Sequence, residues 1–259
     1  MGDFGHHQKI FTSHNLTQPV LLNHHRSLCS TWRNIRVWCA MPGKISRAAS
    51  LCLLAFNLRF QRGPHQIVEF VLSNPLIRPL QVPSELNRFA DIVASIRPKK
   101  VLEIGTLQGG TLCILARLSA PDARIISIDL PGGKFGGGHS KLRSLLCHTF
   151  GKLFQRMHLI RGDSHSEQVA AGVRKIMQSL NVLFIDGDHT YEGVKHDFLS
   201  YSPLVRSGGI VAFHDIADHP KETGCDVSRF WNEVKTSYRH EEIIENRGQG
   251  WAGIGVLYV

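Results

Sequence analysis

Between residues 84 and 258, short apolar runs alternate with segments of helical periodicity, and this alternation constrains the fold more than any other feature of the chain. The runs are 101–104 (VLEI), 124–129 (RIISID), 157–160 (MHLI), 181–186 (NVLFID) and 209–213 (GIVAF), with helical segments at about 110–119, 140–153, 165–179, 191–202 and 227–237. Strands spaced by helices require crossover connections, hence a parallel sheet covered on both faces. A further helix precedes the first strand: apolar residues at 86, 89, 90, 93 and 96 share one face, with Pro83 and Ser84 as start signals and Pro98 as a stop. The end of the chain differs. Residues 241–246 and 251–258 read as two strands flanking Gly248 and Gly250, an antiparallel hairpin that completes the sheet.

Charge divides the chain in two. Residues 1–68 carry eight basic side chains and only Asp3 as an acid, which leaves residues 69–259 near neutrality out of a total net charge of +9. A uniformly basic surface points to nucleic acid. Here the excess lies in the first segment, so no nucleic-acid partner is expected. Residues 1–80 are therefore set apart as a basic extension, partly helical (about 45–60) or poorly ordered, with residues 81–259 as the catalytic domain. No apolar run reaches the ~18–20 residues of a membrane span, and the first thirty residues lack the apolar centre of a secretory leader. The six cysteines form no C-x-x-C pair, which fits reduced, structural thiols and a cytoplasmic protein.

In open α/β sheets ligands bind beyond the carboxyl ends of the strands, and the acids and glycines cluster there. The first strand leads into Glu103-Ile-Gly105-Thr106-Leu-Gln-Gly109-Gly110. Glycines at such a turn let the backbone approach a ligand, and the helix that follows presents free N–H groups. A dinucleotide fingerprint needs G-x-G-x-x-G; this turn reads G-x-x-x-G-G, and Glu103 would repel a pyrophosphate. The second strand ends in Asp129, placed to bind ribose hydroxyls of either a nicotinamide or an S-adenosyl cofactor. The third ends in Arg161-Gly162-Asp163-Ser164, where Asp163 either accepts from an adenine amine or caps a helix.

The runs VLEIGTLQGG, SIDL, RGDS, FIDGDHTYEGVKHD and GGIVAFHD together resemble the class I S-adenosylmethionine-dependent methyltransferases. More narrowly, they are similar to the bacterial small-molecule O-methyltransferase group that includes cephalosporin-hydroxylase-like and macrolide-sugar methyltransferase proteins. The likeness covers about residues 84–258. It implies a doubly wound, mostly parallel seven-stranded Rossmann-like sheet, with S-adenosylmethionine held by Glu103, Gly105, Thr106, Gly109, Asp129, Asp163 and Asp186.

Asp186-Gly-Asp188-His189 closes the fourth strand and His214-Asp215 the fifth. Such a density of ionisable groups at strand ends is costly unless they are solvated, paired or metal-bound. Neighbouring strands bring Asp186, His214 and Asp215 together as a site for a divalent metal, magnesium or manganese. In the sugar methyltransferases the resemblance points to, an acid is usual where this chain has His214. His189, three residues after Asp186, is the candidate general base for a hydroxyl acceptor. The acceptor is expected to be a small molecule or a sugar, and homo-oligomerisation is left open. The glycine-rich loop 131–140 is a candidate flap in which Phe135 and His139 face the acceptor, and the segment 216–225 borders the same cleft. Two other readings stand beside this one: a cephalosporin-hydroxylase-like protein running other chemistry on the same scaffold, and a non-catalytic binding module.

Overall fold

The computed structural model describes residues 44–132 and 139–259. Eight helices and seven strands follow one another along them: α1 (Lys44–Leu58), α2 (Pro64–Ser73), α3 (Pro83–Ile96), β1 (Lys100–Ile104), α4 (Gly110–Leu118), β2 (Arg124–Asp129), α5 (Lys141–His148), β3 (Arg156–Arg161), α6 (Glu167–Ile176), β4 (Leu180–Ile185), α7 (Tyr191–Tyr201), β5 (Val205–His214), α8 (Val227–Val234), β6 (Arg239–Ile243) and β7 (Ile254–Tyr258). The strands form one sheet in the order β3-β2-β1-β4-β5-β7-β6. The first five are parallel, and β7 pairs antiparallel with both β5 and β6. The expected doubly wound α/β sheet with an antiparallel end is present. Its order reverses between β1 and β4, where a crevice opens at the carboxyl ends.

The period of two along each strand divides the core. Val101, Val182, Phe184, Ile210 and Ala212 face one side, with α1 to α5. Leu102, Ile104, Leu183, Ile185, Val211 and Phe213 face the other, with α6 to α8. Burial on both sides is why these strands read as continuous apolar runs. Trp231 is 1% exposed within the second layer. Trp251 is only half-buried, in the bend leading into β7.

Packing does not break at residue 81. Leu54 and Leu58 of α1, Ile67, Val68 and Val71 of α2, and Ile77 share the first core layer with α3 and α4. Leu53, Phe56 and Phe60 stay exposed on the other side of the first helical segment. The rest of the basic extension, residues 1–43, and the centre of the glycine-rich loop, 133–138 with Phe135, lie outside the described residues. Among the described cysteines, Cys113 and Cys147 are buried thiols; burial pushes Cys147 up to about 12. No helix of the described residues is long and apolar enough to cross a membrane.

Candidate active site

The turn after β1 is shaped by two glycines. Gly105 has φ +84°, and its N–H donates to Ile128 O on β2 at 2.9 Å. A Cβ there would stand 1.9 Å from Asp186 O at the end of β4, so the bare backbone is what lets three strand ends meet. Gly109, at φ +87°, is the N-cap of α4. Gly110 is pressed against Ile77 O and Pro79, so this glycine serves packing rather than the cleft. Arg143 of α5 braces the same turn, donating to Gln108 O (2.8 Å) and Leu76 O (3.0 Å).

Behind the turn lies a buried polar chain. Thr106 Oγ1 and Ser127 Oγ share a short hydrogen bond, and Ser127 also reaches a Glu103 carboxylate oxygen at 3.0 Å. Glu103 is 1% exposed; burial pushes its pKa well above the usual range, partly offset by hydrogen bonds from Ser127 and Thr106. It therefore sits beneath the turn rather than on the cleft surface. Asp129 is buried at the tip of β2, its Oδ1 3.4 Å from Thr106 N. His139, φ +45°, lies beside this chain with Nε2 3.4 Å from Ser127 Oγ. It is 5% exposed, and the charge of Asp129 acts on it. Asp163 is exposed and accepts from His165 N at 2.9 Å, a loop-internal bond; the N-cap of α6 is Ser166, three residues later.

The second half of the site forms at the ends of β4 and β5. His214 Nδ1 stands 3.3 Å from Asp186 Oδ1 and 3.3 Å from Asp215 Oδ1. His189 bridges the same acids, Nε2 to Asp186 Oδ1 at 3.5 Å and Nδ1 to Asp215 Oδ2 at 3.2 Å. A third imidazole, His219, lies 3.3 Å from Asp215 Oδ1 and is anchored through Nδ1 to Ala217 O. The four residues expected to converge do so. His219 was visible only as one of several polar residues in the 216–225 loop, because its approach to Asp215 depends on how that loop turns back.

The backbone here is strained in a definite way. Asp215 has φ +63°, and its Oδ1 accepts from Ala252 N at 3.1 Å. Ala252 (φ +58°) and Gly253 (φ +85°) return the contact through Ala217 N to Ala252 O and Ile216 N to Gly253 O. Non-glycine residues at positive φ persist only where their surroundings hold them, and such residues gather at functional sites. Asp226 N donates to His189 O at 2.8 Å, drawing the loop over the imidazole. Asp188, by contrast, is exposed and accepts from Thr190 N at 2.9 Å, a turn residue before α7.

Burial alone would strip protons from the imidazoles, but the two carboxylates reverse this. For His189, the bond to Asp186 and the charges of Asp215 and Asp186 outweigh burial and raise it to about 9. His214 is raised well above its usual value against burial, by the charges of Asp215 and Asp186. His219 is lifted to about 10, its bond to Asp215 overcoming burial. Asp215 is correspondingly held well below the carboxylate range, His214 outweighing burial. One ligand atom each from Asp186, His214 and Asp215 lies within 4.8 Å of the others. Separations of 3.3 Å are near the ~3 Å between adjacent ligands of an octahedral ion at ~2.1 Å. His214 Nε2 is buried with no hydrogen-bond partner among the described residues. The donor set thus fits a hard or borderline divalent cation.

Residues 102–216 match the family model of a methyltransferase domain. With the strand order above, this region has the fold that its solved neighbours share. More particularly, several solved neighbours are O-methyltransferases. The O-methyltransferase TomG of Streptomyces achromogenes, in complex with S-adenosylmethionine, is 20% identical, with 76% of this chain and 87% of that one covered at a TM-score of 0.51. The O-methyltransferase of Bacillus cereus, in complex with S-adenosylhomocysteine, is 16% identical over 87% and 96% of the two chains at 0.51. The TDP-rhamnose 3'-O-methyltransferase of calicheamicin biosynthesis is 21% identical over 90% and 94% at 0.52. At these identities the likeness is one of fold. Among curated proteins, an uncharacterized protein of Acanthamoeba polyphaga mimivirus is 29% identical over 118 residues, 46% of this chain and 52% of that protein. An uncharacterized protein of Sinorhizobium fredii is 25% identical over 154 residues, 55% of this chain and 16% of that protein. The chain thus spans about half the length of the first and a small part of the second.

Proposed function

We propose that this protein is an S-adenosylmethionine-dependent O-methyltransferase acting on a hydroxyl of a small molecule or sugar, with a divalent cation held by Asp186, His214 and Asp215. The observation that carries this reading is the meeting of two half-sites: the Gly105–Asp129 crevice and the acid–imidazole cluster abut where Gly105 touches the Asp186 carbonyl. Gly105 and Thr106 leave the backbone open for the methionine portion of the cofactor, and Asp129 is placed to accept from ribose hydroxyls. Gly109 shapes the start of α4, and Asp163 borders the adenine side. The bound cofactor supplies an electrophilic methyl on a sulfonium, whose departure as a neutral thioether needs no acid. A cation held by Asp186, His214 and Asp215 would supply Lewis acidity that makes the acceptor hydroxyl easier to deprotonate. His189 takes the hydroxyl proton on an imidazole nitrogen, which requires the neutral ring. Asp186 and Asp215 favour its proton when they are uncompensated; a cation held by these acids would weaken that hold. His219 positions Asp215, and the strained Asp215 backbone keeps the two acids facing each other. Positioning of hydroxyl and methyl in line contributes much of the rate.

Calorimetry with S-adenosylhomocysteine, followed by transfer of a labelled methyl to a panel of hydroxylated acceptors, tests the reading. Cofactor binding and chelator-sensitive label transfer are expected. No affinity for S-adenosylhomocysteine would overturn it, and transfer indifferent to a chelator would remove the cation from the mechanism.

A further inference from the structure

Behind the strand end that carries Asp186, where the Asp197 carboxylate lies against Gly187, α7 carries a second group of ligating side chains that the proposed methyl transfer does not use. Asp197 is 0% exposed; its carboxylate oxygens have no partner within 3.5 Å among the described residues, and the side chain of Ser164 is the hydrogen-bonding group that bears on it. Within ion-pair distance it has one neighbour among them, His165 of the loop after β3, whose Nε2 is 3.6 Å from Asp197 Oδ1 and equally without a hydrogen-bond partner. The ring of His196, next to Asp197 on the helix, lies against that of His165 with centroids 4.5 Å apart at 48°. One ligand atom from each of the three lies within 4.8 Å of the other two. The hydroxyl of Ser200 sits 3.4 Å from His196 Nδ1, the kind of outer partner that orients a ligating imidazole.

A carboxylate with so little hydrogen bonding in a dry interior is expensive, and a further donor or a cation ordinarily relieves it. The other charges that bear on Asp197 make the want of a cation greater, since Asp188 and Asp163 are both acids. The environment is negative, and its donors are two imidazoles and one carboxylate. This mixed nitrogen and oxygen set matches zinc, which takes three protein ligands and leaves the fourth tetrahedral position to water.

We propose that His165, His196 and Asp197 form a second metal site, which takes zinc and fastens the loop after β3 to α7. It shares no residue with the Asp186–His214–Asp215 cluster. Because His165 lies two residues from Asp163, an occupied site would also stiffen the loop that borders the adenine side of the crevice.

The test separates this site from the cleft. In the full chain carrying Asp186→Asn and Asp215→Asn, which disables both cleft groups able to hold an ion, zinc is measured by mass spectrometry after gel filtration. The melting temperature is followed as Zn²⁺ is added. About one zinc per chain and a zinc-dependent rise in melting temperature are expected. Adding His165→Ala and His196→Ala should abolish both. His196→Gln alone, at an exposed helix position, leaves the core untouched and should weaken zinc binding at least about tenfold. Absence of zinc from the chain with the cleft disabled would overturn the proposal, and so would zinc retained undiminished by His196→Gln and by the double alanine change. Neither outcome bears on methyl transfer, so the two readings fail independently.

Discussion

Replacing Gly105 with alanine should unlock the junction of β1 and β4, and the size of the effect follows from the contact distances. The new Cβ would lie 1.9 Å from Asp186 O, 2.5 Å from its carbonyl carbon and 3.0 Å from Gly187 N, all backbone atoms. Ordinary contact requires about 3 Å or more, so the end of β4 must retreat by roughly 1 Å in a close-packed region. This displaces the Asp186 N to Ile104 O hydrogen bond of 2.9 Å. Overpacking costs about 1–3 kcal/mol, left-handed φ on a residue with a Cβ about 1–2 kcal/mol, and the weakened hydrogen bond about 1 kcal/mol. Together, roughly 3–6 kcal/mol, these correspond to a fall of about 10–20 °C in melting temperature for a domain of this size. Gly172, inside α6, provides the control. Nothing lies within 4 Å of a Cβ built there, and its φ is not positive. Gly172→Ala should therefore raise stability by about 0.5–1 kcal/mol. Urea unfolding of both variants, with calorimetry of S-adenosylhomocysteine, reads the outcome. Gly105→Ala should also bind that nucleoside at least about tenfold more weakly. Wild-type stability and affinity in Gly105→Ala would show that the strand ends do not meet as described.

Four further outcomes are expected. His189→Ala should lower label transfer by about 100-fold or more while leaving S-adenosylhomocysteine affinity within a few-fold; equal losses of both would deny His189 a role in proton removal. Asp129→Ala should cost about 2–3 kcal/mol of S-adenosylhomocysteine affinity, measured by calorimetry, through loss of charge-assisted hydrogen bonds. Glu85, 1% exposed at the start of α3, accepts from Glu245 N, Gln249 Nε2 and Gly253 N; Glu85→Ala strands three donors and should lower unfolding stability by about 3 kcal/mol or more. Glu242 is held down to about 2, because hydrogen bonds from Lys235, Trp231 and Arg247 outweigh burial. Its folded value is depressed, so its contribution is complete above the unfolded pKa near 4.3 and fades as pH falls through about 2. Glu242→Gln should cost about 2 kcal/mol at pH 7 in chemical unfolding, with the gap closing below about pH 4; a gap independent of pH would contradict this.

The parts of this protein legible in its amino-acid order are those governed by period and by local backbone need. Runs such as 181–186 announce strands buried on both faces, and the turn from Gly105 to Gly110 announces a backbone that must approach something closely. Asp186, His189, His214 and Asp215 were visible as a group because parallel neighbours present their carboxyl ends together. Non-local pairing decided the rest. Glu103 accepts from Ser127, twenty-four positions on, because strand register places the two side by side. Gly110 belongs to the 77–79 segment for the same reason. His219 joins Asp215 because residues 216 and 217 bond to Gly253 and Ala252 just before β7, and His165 meets Asp197 because a loop after β3 folds down on α7. Linear spacing reports which residues share a face of one element. Which faces then meet, and which buried charges are left for an ion to satisfy, is set by packing between elements far apart in the chain, and only the tertiary structure contains it.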